Sequence, residues 1–114
     1  MPWNLDSDRP IFLQIVERLE SDIVSGKYAP GEKLPAVREL AVEAAVNPNT
    51  MQKACAELER IGLVYSQRTS GRFVTEDKKR IDQTRKDLAK KTAKAFLQKM
   101  EELGISRDEA LKLL

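Results

Sequence analysis

The sequence contains no histidine. That absence removes the commonest general base and the commonest metal ligand together, so hydrolase triads and zinc sites are not expected. Paired catalytic acids and a glycine-rich phosphate loop are missing as well, so an enzyme is not the reading and no cofactor is expected. Cysteine is nearly absent: Cys55 stands alone, which excludes an internal disulfide framework and fits a reducing, cytoplasmic setting. No run approaches the ~20 apolar residues of a membrane span. The amino terminus carries Asp6 and Asp8, with no basic or long apolar stretch, and so does not read as a secretory signal. A strong charge of one sign is missing too. Residues 1–75 hold nine Lys/Arg against ten Asp/Glu, and residues 76–114 hold eleven against eight. Binding to nucleic acid therefore requires the cations of the first part to cluster on one face.

What is present suffices for one small domain with an appended arm: 114 residues, 41% of them apolar. Its organising stretch runs from Val46 to Gly62 and reads as a helix with both ends marked. Asn47 can cap it, Pro48 sits where its missing N–H costs nothing, and Gly62 suits the left-handed residue beyond the end. Met51, Ala54, Cys55, Leu58 and Ile61 form one apolar stripe. The opposite face opens with Asn49, Thr50, Gln52 and Lys53 and holds no carboxylate before Glu57. Short donors and acceptors of that kind suit base edges and phosphates in a major groove, though an ordinary surface helix can begin in the same way.

Ahead of this stretch, Ile11, Ile15, Leu19 and Ile23, with Phe12 and Val16 beside them, predict an amphipathic helix from Pro10 to Ser25. Leu13, Gln14, Glu17 and Arg18 fill its other faces, and Gly26 stops it. A turn at Tyr28-Ala29-Pro30-Gly31 follows, then Leu34-Pro35, then a short helix from Ala36 to Ala44. Its inward residues are Val37, Leu40, Ala41 and Ala44, with Arg38 and Glu39 outward. Only Ala45 and Val46 separate it from the Asn47 cap, the spacing of a helix-turn-helix. After Gly62 the period changes. Leu63-Val64-Tyr65 and Arg72-Phe73-Val74-Thr75 flank Ser66 to Gly71 as a hairpin whose tip offers Arg68, Thr69, Ser70, Gly71 and Arg72. A charged tip also suits any solvated turn. Three helices and a two-stranded hairpin together make a winged helix.

From Glu76 the composition shifts to a helix of about Asp77–Leu103 laced with both signs of charge. Its apolar face is Leu88, Thr92, Ala95, Phe96, Met100 and Leu103. After Gly104, Ser106 and Glu109 form a capping box, with Ile105 and Ala110 as the hydrophobic staple, for a last helix presenting Leu111, Leu113 and Leu114. Two helices folded as a hairpin leave much of this surface bare. A second copy would cover it, so the arm is expected to dimerise through Leu88, Ala95, Phe96, Met100, Leu103, Leu111 and Leu114. The boundaries are 1–75 for the head and 76–114 for the arm, and a chain ending at Thr75 is expected to keep its fold.

These stretches resemble the GntR family of bacterial transcriptional regulators over about residues 9–75. Gly31-Glu32-Lys33-Leu34-Pro35-Ala36-Val37-Arg38-Glu39-Leu40-Ala41 is similar to the proline turn that leads into that family's second helix, and residues 68–74 are similar to its wing. The segment from Val46 to Thr50 with Lys53-Ala54, followed by a short arm, resembles the YtrA subfamily. The resemblance implies that Arg38 works on the operator, that Asn47, Asn49, Thr50, Gln52 and Lys53 are recognition-helix contacts, and that Arg68 through Ser70 and Gly71 to Arg72 enters the minor groove. Three positions depart from the pattern. Ala36 replaces the usual serine and cannot cap the second helix, a loss of about 1 kcal/mol. Thr69 replaces a frequent glycine, and Cys55 takes the place of a frequent aromatic. On the apolar stripe a thiol reads as inert core rather than a redox sensor.

The expected function is sequence-specific binding of double-stranded DNA by a homodimeric repressor on a two-fold operator, with no membrane partner. The arm is too short to enclose an effector pocket within one protomer, so any small-molecule effector is expected at the dimer interface. The alternative is a winged-helix protein-interaction module without specific DNA binding, which the slightly acidic balance of residues 1–75 favours. The resemblance implies control of a transporter operon; the residues do not name the operator, the genes or the signal.

Overall fold

Helix α1 (Ile11–Val24), α2 (Val37–Ala44) and α3 (Pro48–Arg60) precede strands β1 (Val64–Gln67) and β2 (Gly71–Val74). Helices α4 (Lys78–Glu102) and α5 (Arg107–Lys112) follow, in a computed structural model that describes residues 3–114. The fold is mainly helical, a winged helix-turn-helix head with a helical arm. Helix α3 lies across α1 and α2, and its stripe of Met51, Ala54, Cys55 and Leu58 is buried against Ile15, Leu19, Ile23 and Leu40. The expected end signals are in place. Asn47 Oδ1 accepts a hydrogen bond from the Asn49 amide at 2.7 Å, Pro48 opens α3, and Gly62 has φ +84°. Ala36 makes no side-chain cap to α2. The tight turn between α2 and α3 is closed by Ala45 in the left-handed region, at φ 59°.

The hairpin is longer than the residue pattern indicates. Its ladder pairs Val64 with Val74, Tyr65 with Phe73, Ser66 with Arg72 and Gln67 with Gly71, so only Arg68, Thr69 and Ser70 form the turn. Backbone pairing extends it into polar residues, which a search for apolar alternation passes over. Leu63 lies outside the ladder, fully buried below it. A third segment pairs with β2: the Gly31 amide donates to Val74 O and the Leu34 amide to Arg72 O, both at 2.9 Å, and Lys33 forms an isolated bridge with Phe73. The wing thus hangs from the turn that leads into α2.

One expectation about outward faces needs correction. Gln14 is buried, because its side chain accepts from the Asp6 amide at 2.6 Å and donates to Asp6 O and Arg9 O at 2.7 and 3.0 Å. It fastens the amino-terminal segment, whose Trp3 joins the core and whose Leu5 packs on it. A chain ending at Thr75 would lack contacts that α4 makes with the head. Ile81 of α4 is 5% exposed within the head core, and Leu88 packs against that same core. Cutting at Thr75 strips a buried isoleucine from the head, a loss of about 1.5–3 kcal/mol of apolar burial.

Beyond Lys91, whose Nζ lies 4.0 Å from Glu17 Oε2 of α1, the arm leaves the head. The radius of gyration is 16.3 Å and the extents are 53 × 33 × 22 Å, against about 13 Å for a compact chain of this length. Helix α5 folds back on α4, with its Ser106/Glu109 capping box formed and Ala110 fully buried. Phe96 and Met100 are half-buried, and Ala95 is exposed. Leu103, Leu111, Leu113 and Leu114 are 66, 49, 68 and 86% exposed, an uncovered apolar end.

Candidate nucleic-acid interface

A groove of about 450 Å³ runs between the wing and the start of α2, lined by Lys33, Leu34, Pro35 and Ala36 on one side and Arg68, Thr69, Ser70 and Gly71 on the other. It exists because the segment before α2 pairs with β2, so the proline turn and the wing share one sheet edge. Arg38 is exposed one residue past this groove, on the first turn of α2. Asn49, Gln52 and Lys53 are exposed on α3 and Thr50 is half-buried. The wing reaches α3 directly: Arg72 Nη1 donates to Gln52 Oε1 at 3.5 Å, and Arg72 Nε to Glu59 Oε1 at 3.3 Å. Ser66 Oγ donates to the same Glu59 oxygen at 2.7 Å. One side of the head therefore gathers the start of α2, the first turns of α3 and the wing tip, with Arg38, Lys53, Arg68 and Lys33 as exposed cations.

The structure separates the roles of residues that the sequence grouped. Arg68 stands exposed at the tip with φ 24°, a left-handed backbone that an arginine adopts at a cost. Arg72 does not project from the tip, because Glu59 and Gln52 hold its half-buried side chain against α3. Asn47 commits one lone pair of its side-chain oxygen to the α3 cap, which leaves its amide N–H groups and the second lone pair to meet a ligand. Ser70 closes the wing turn, its amide donating to Gln67 O at 2.7 Å. Gly71 lies under the Lys33 stem, where a Cβ would come within 3.1 Å of Lys33 Cε. Lys33 is the cation that residue patterns missed. Its only signal is its place in the proline-turn motif, and the strand pairing that carries it to the wing is non-local.

The electrostatics of the site follow from these contacts. The Ser66 hydroxyl, and after it Arg72, hold the Glu59 carboxyl below its usual range. Burial pushes the Cys55 thiol up, with Arg72 pulling weakly the other way. At 1% exposure beneath the groove, Cys55 is core. Among the described residues no cluster of three or more Cys, Asp or Glu is arranged to hold a metal, and no helix is long and apolar enough to cross a membrane. What this surface can do is accept phosphates and read base edges.

Comparison with known proteins points the same way. The gntR family of bacterial regulatory proteins matches residues 12–74. An HTH-type transcriptional regulator of Bacillus subtilis, YhcF, is 38% identical over 98% of this chain and 93% of its own length. The HTH-type transcriptional repressor YtrA of the same organism is 42% identical over 64% of this chain and 56% of its own length. Among solved structures, a GntR family transcriptional regulator from Listeria monocytogenes superposes with a TM-score of 0.86 at 42% identity, covering 96% of each chain. The DNA-binding domain of AraR in complex with operator ORE1 matches with a TM-score of 0.57 at 34% identity, over 66% of this chain and 94% of that one.

Proposed function

The chain belongs to the GntR family of bacterial regulatory proteins, and from that premise we propose that it is a cytoplasmic repressor that grips a two-fold operator as a homodimer. It is a transcriptional regulator with a DNA-binding winged helix-turn-helix, and its similarity to YtrA supports the YtrA-like subfamily. The observation that carries the reading is the convergence of the start of α2, the first turns of α3 and the wing on one exposed surface. Arg38 and Lys53 supply guanine or phosphate contacts, Asn49, Thr50 and Gln52 discriminate bases, and Arg68 with Ser70 and Gly71 enters the minor groove. Residues 76–114 supply the dimer contact. The exposed leucines at the end of α4 and on α5, with Phe96, Met100 and Ala95, are the surface a two-fold copy would cover. Leu88 contributes less to that contact than its place in the sequence pattern implies, because it packs on its own head. Any effector binds where the two arms meet.

Selection from a random duplex pool tests the proposal, followed by affinity measurements across a salt series. A two-fold sequence should emerge, and affinity for it should fall steeply as salt rises, through counterion release. Failure to enrich any sequence, together with salt-insensitive retention of a protein partner, would give the wing and α3 to a protein-interaction role instead.

A further inference from the structure

Helix α4 meets the head at two helix ends. Arg80 Nη1 donates to the carbonyl of Ile61, the C-terminal cap residue of α3, at 3.0 Å. Arg85 Nε and Nη2 both donate to the carbonyl of Val24, the last residue of α1, at 3.0 and 2.7 Å. The last carbonyls of a helix lack intrahelical partners and carry the negative end of its dipole, so a guanidinium is a fitting cap for each. The chain makes room for this at Gly62, where a Cβ would come within 3.0 Å of Arg80 Cδ and Nε. Between the two arginines, Ile81 inserts into the head core. Three points of attachment, at both helix ends and in the core, fix the direction of α4 relative to the recognition helix. A tether ending at Thr75 would fix nothing.

We propose that Arg80 and Arg85 are positioning residues that set the half-site spacing the protein accepts, by locking the dimer arm to the C-terminal ends of α3 and α1. The inference rests on the homodimer reading above. Two heads on rigid arms present their recognition helices at one separation and one rotation. Each base pair added between half-sites moves one of them by about 3.4 Å and turns it by roughly a tenth of a turn. A rigid dimer cannot follow, and it loses the gain from linkage. Heads on loosened arms follow the DNA, with a lower effective concentration at the best spacing. Neither arginine contacts DNA in this scheme.

The test uses the full-length protein and the operator halves found by selection, rebuilt with zero to four base pairs added or removed between them. Binding is read by fluorescence anisotropy for the wild type, Arg85→Ala and the double variant Arg80→Ala/Arg85→Ala. Circular dichroism and sedimentation are run on each. The wild type should lose about 100-fold in affinity when the spacing moves off its optimum by two base pairs. The double variant should lose under about tenfold over the same change, bind more weakly at the optimum, and bind an isolated half-site unchanged. A purely structural role would lower every affinity alike and leave the spacing profile as it was. Should the double variant unfold, Arg85→Ala alone is read, with its profile expected to broaden part of the way. A dimeric wild type whose profile is matched by the folded variants overturns this inference alone. A wild type that sediments as a monomer overturns the dimer reading and this inference with it.

Discussion

Ala45 occupies a backbone conformation that alanine resists. Its φ of 59° closes the turn between α2 and α3, where the left-handed region costs an L-residue roughly 1–2 kcal/mol and glycine almost nothing. Glycine's larger unfolded-state entropy offsets part of that gain. Ala45→Gly should therefore raise stability by about 0.5–1 kcal/mol, and urea denaturation measures it; a destabilised variant would mean that the methyl group packs usefully where it is. Arg38 and Lys53 are both exposed, yet they should fail differently when removed. Arg38→Ala should cost about 1–3 kcal/mol of specific binding and leave the fold intact. Lys53→Ala should weaken specific and random DNA alike and lower the log–log salt slope by about one per half-site. A Lys53→Ala loss confined to one base-pair position would make that lysine a base reader.

Among the elements, the hairpin and α3 behave as one unit because Glu59 takes hydrogen bonds from Ser66 of β1 and Arg72 of β2. Its carboxyl is held below the usual 4.5, first by Ser66 and then by Arg72. A depressed carboxylate contributes stability above that value and loses it as pH falls through the folded-state midpoint. The stabilisation from the Glu59 carboxylate is thus present at neutral pH and is lost only as pH falls below 4.5. In Ser66→Ala the Glu59 midpoint, followed by carbon NMR, should rise toward 4.5; an unmoved midpoint would remove Ser66 from the contact. This contact also marks where sequence reading stops. The helices were legible because each carries its own evidence: the stripe from Met51 to Leu58, the Asn47 cap with Pro48, the Ser106/Glu109 box. The bridge of Lys33 to Phe73 and the burial of Ile81 have no such local signature, because each joins segments far apart in the chain; the anchoring of Asp6 by Gln14 is nearer, but it is a polar contact that apolar periodicity does not register. The sequence therefore placed Asn49, Gln52 and Lys53 on an exposed face of α3, as found, yet it grouped Arg72 with the free cations and gave Lys33 no role.

For the whole molecule, the dividing line of consequence falls within α4 rather than before it. Its first part belongs mechanically to the head through Arg80, Ile81, Arg85 and Leu88. Its end and α5 carry the exposed leucines. A chain stopped at Lys91 keeps all four head contacts and should fold with the stability of the intact head. It should sediment as a monomer and bind the operator about 100- to 10,000-fold more weakly than the full chain. Dimers of this shortened chain at micromolar concentration, or undiminished affinity, would move the dimer contact onto the head.

The sole tryptophan gives the molecule a built-in optical gauge. Trp3 is buried at the edge of the head, with the Arg18 guanidinium carbon 4.7 Å from its ring centroid and its indole N–H without a hydrogen-bond partner among the described residues. An indole shielded from water emits at shorter wavelength than a wetted one, so native emission should be blue-shifted and should move red when the amino-terminal segment lifts off. Trp3 also shares a surface hollow with Ala45, Asn47 and Thr50 at the entrance to α3. Its colour should therefore report, without any attached dye, when operator DNA settles against that turn. Spectra that stay fixed through both unfolding and DNA titration would show that the indole is not seated there.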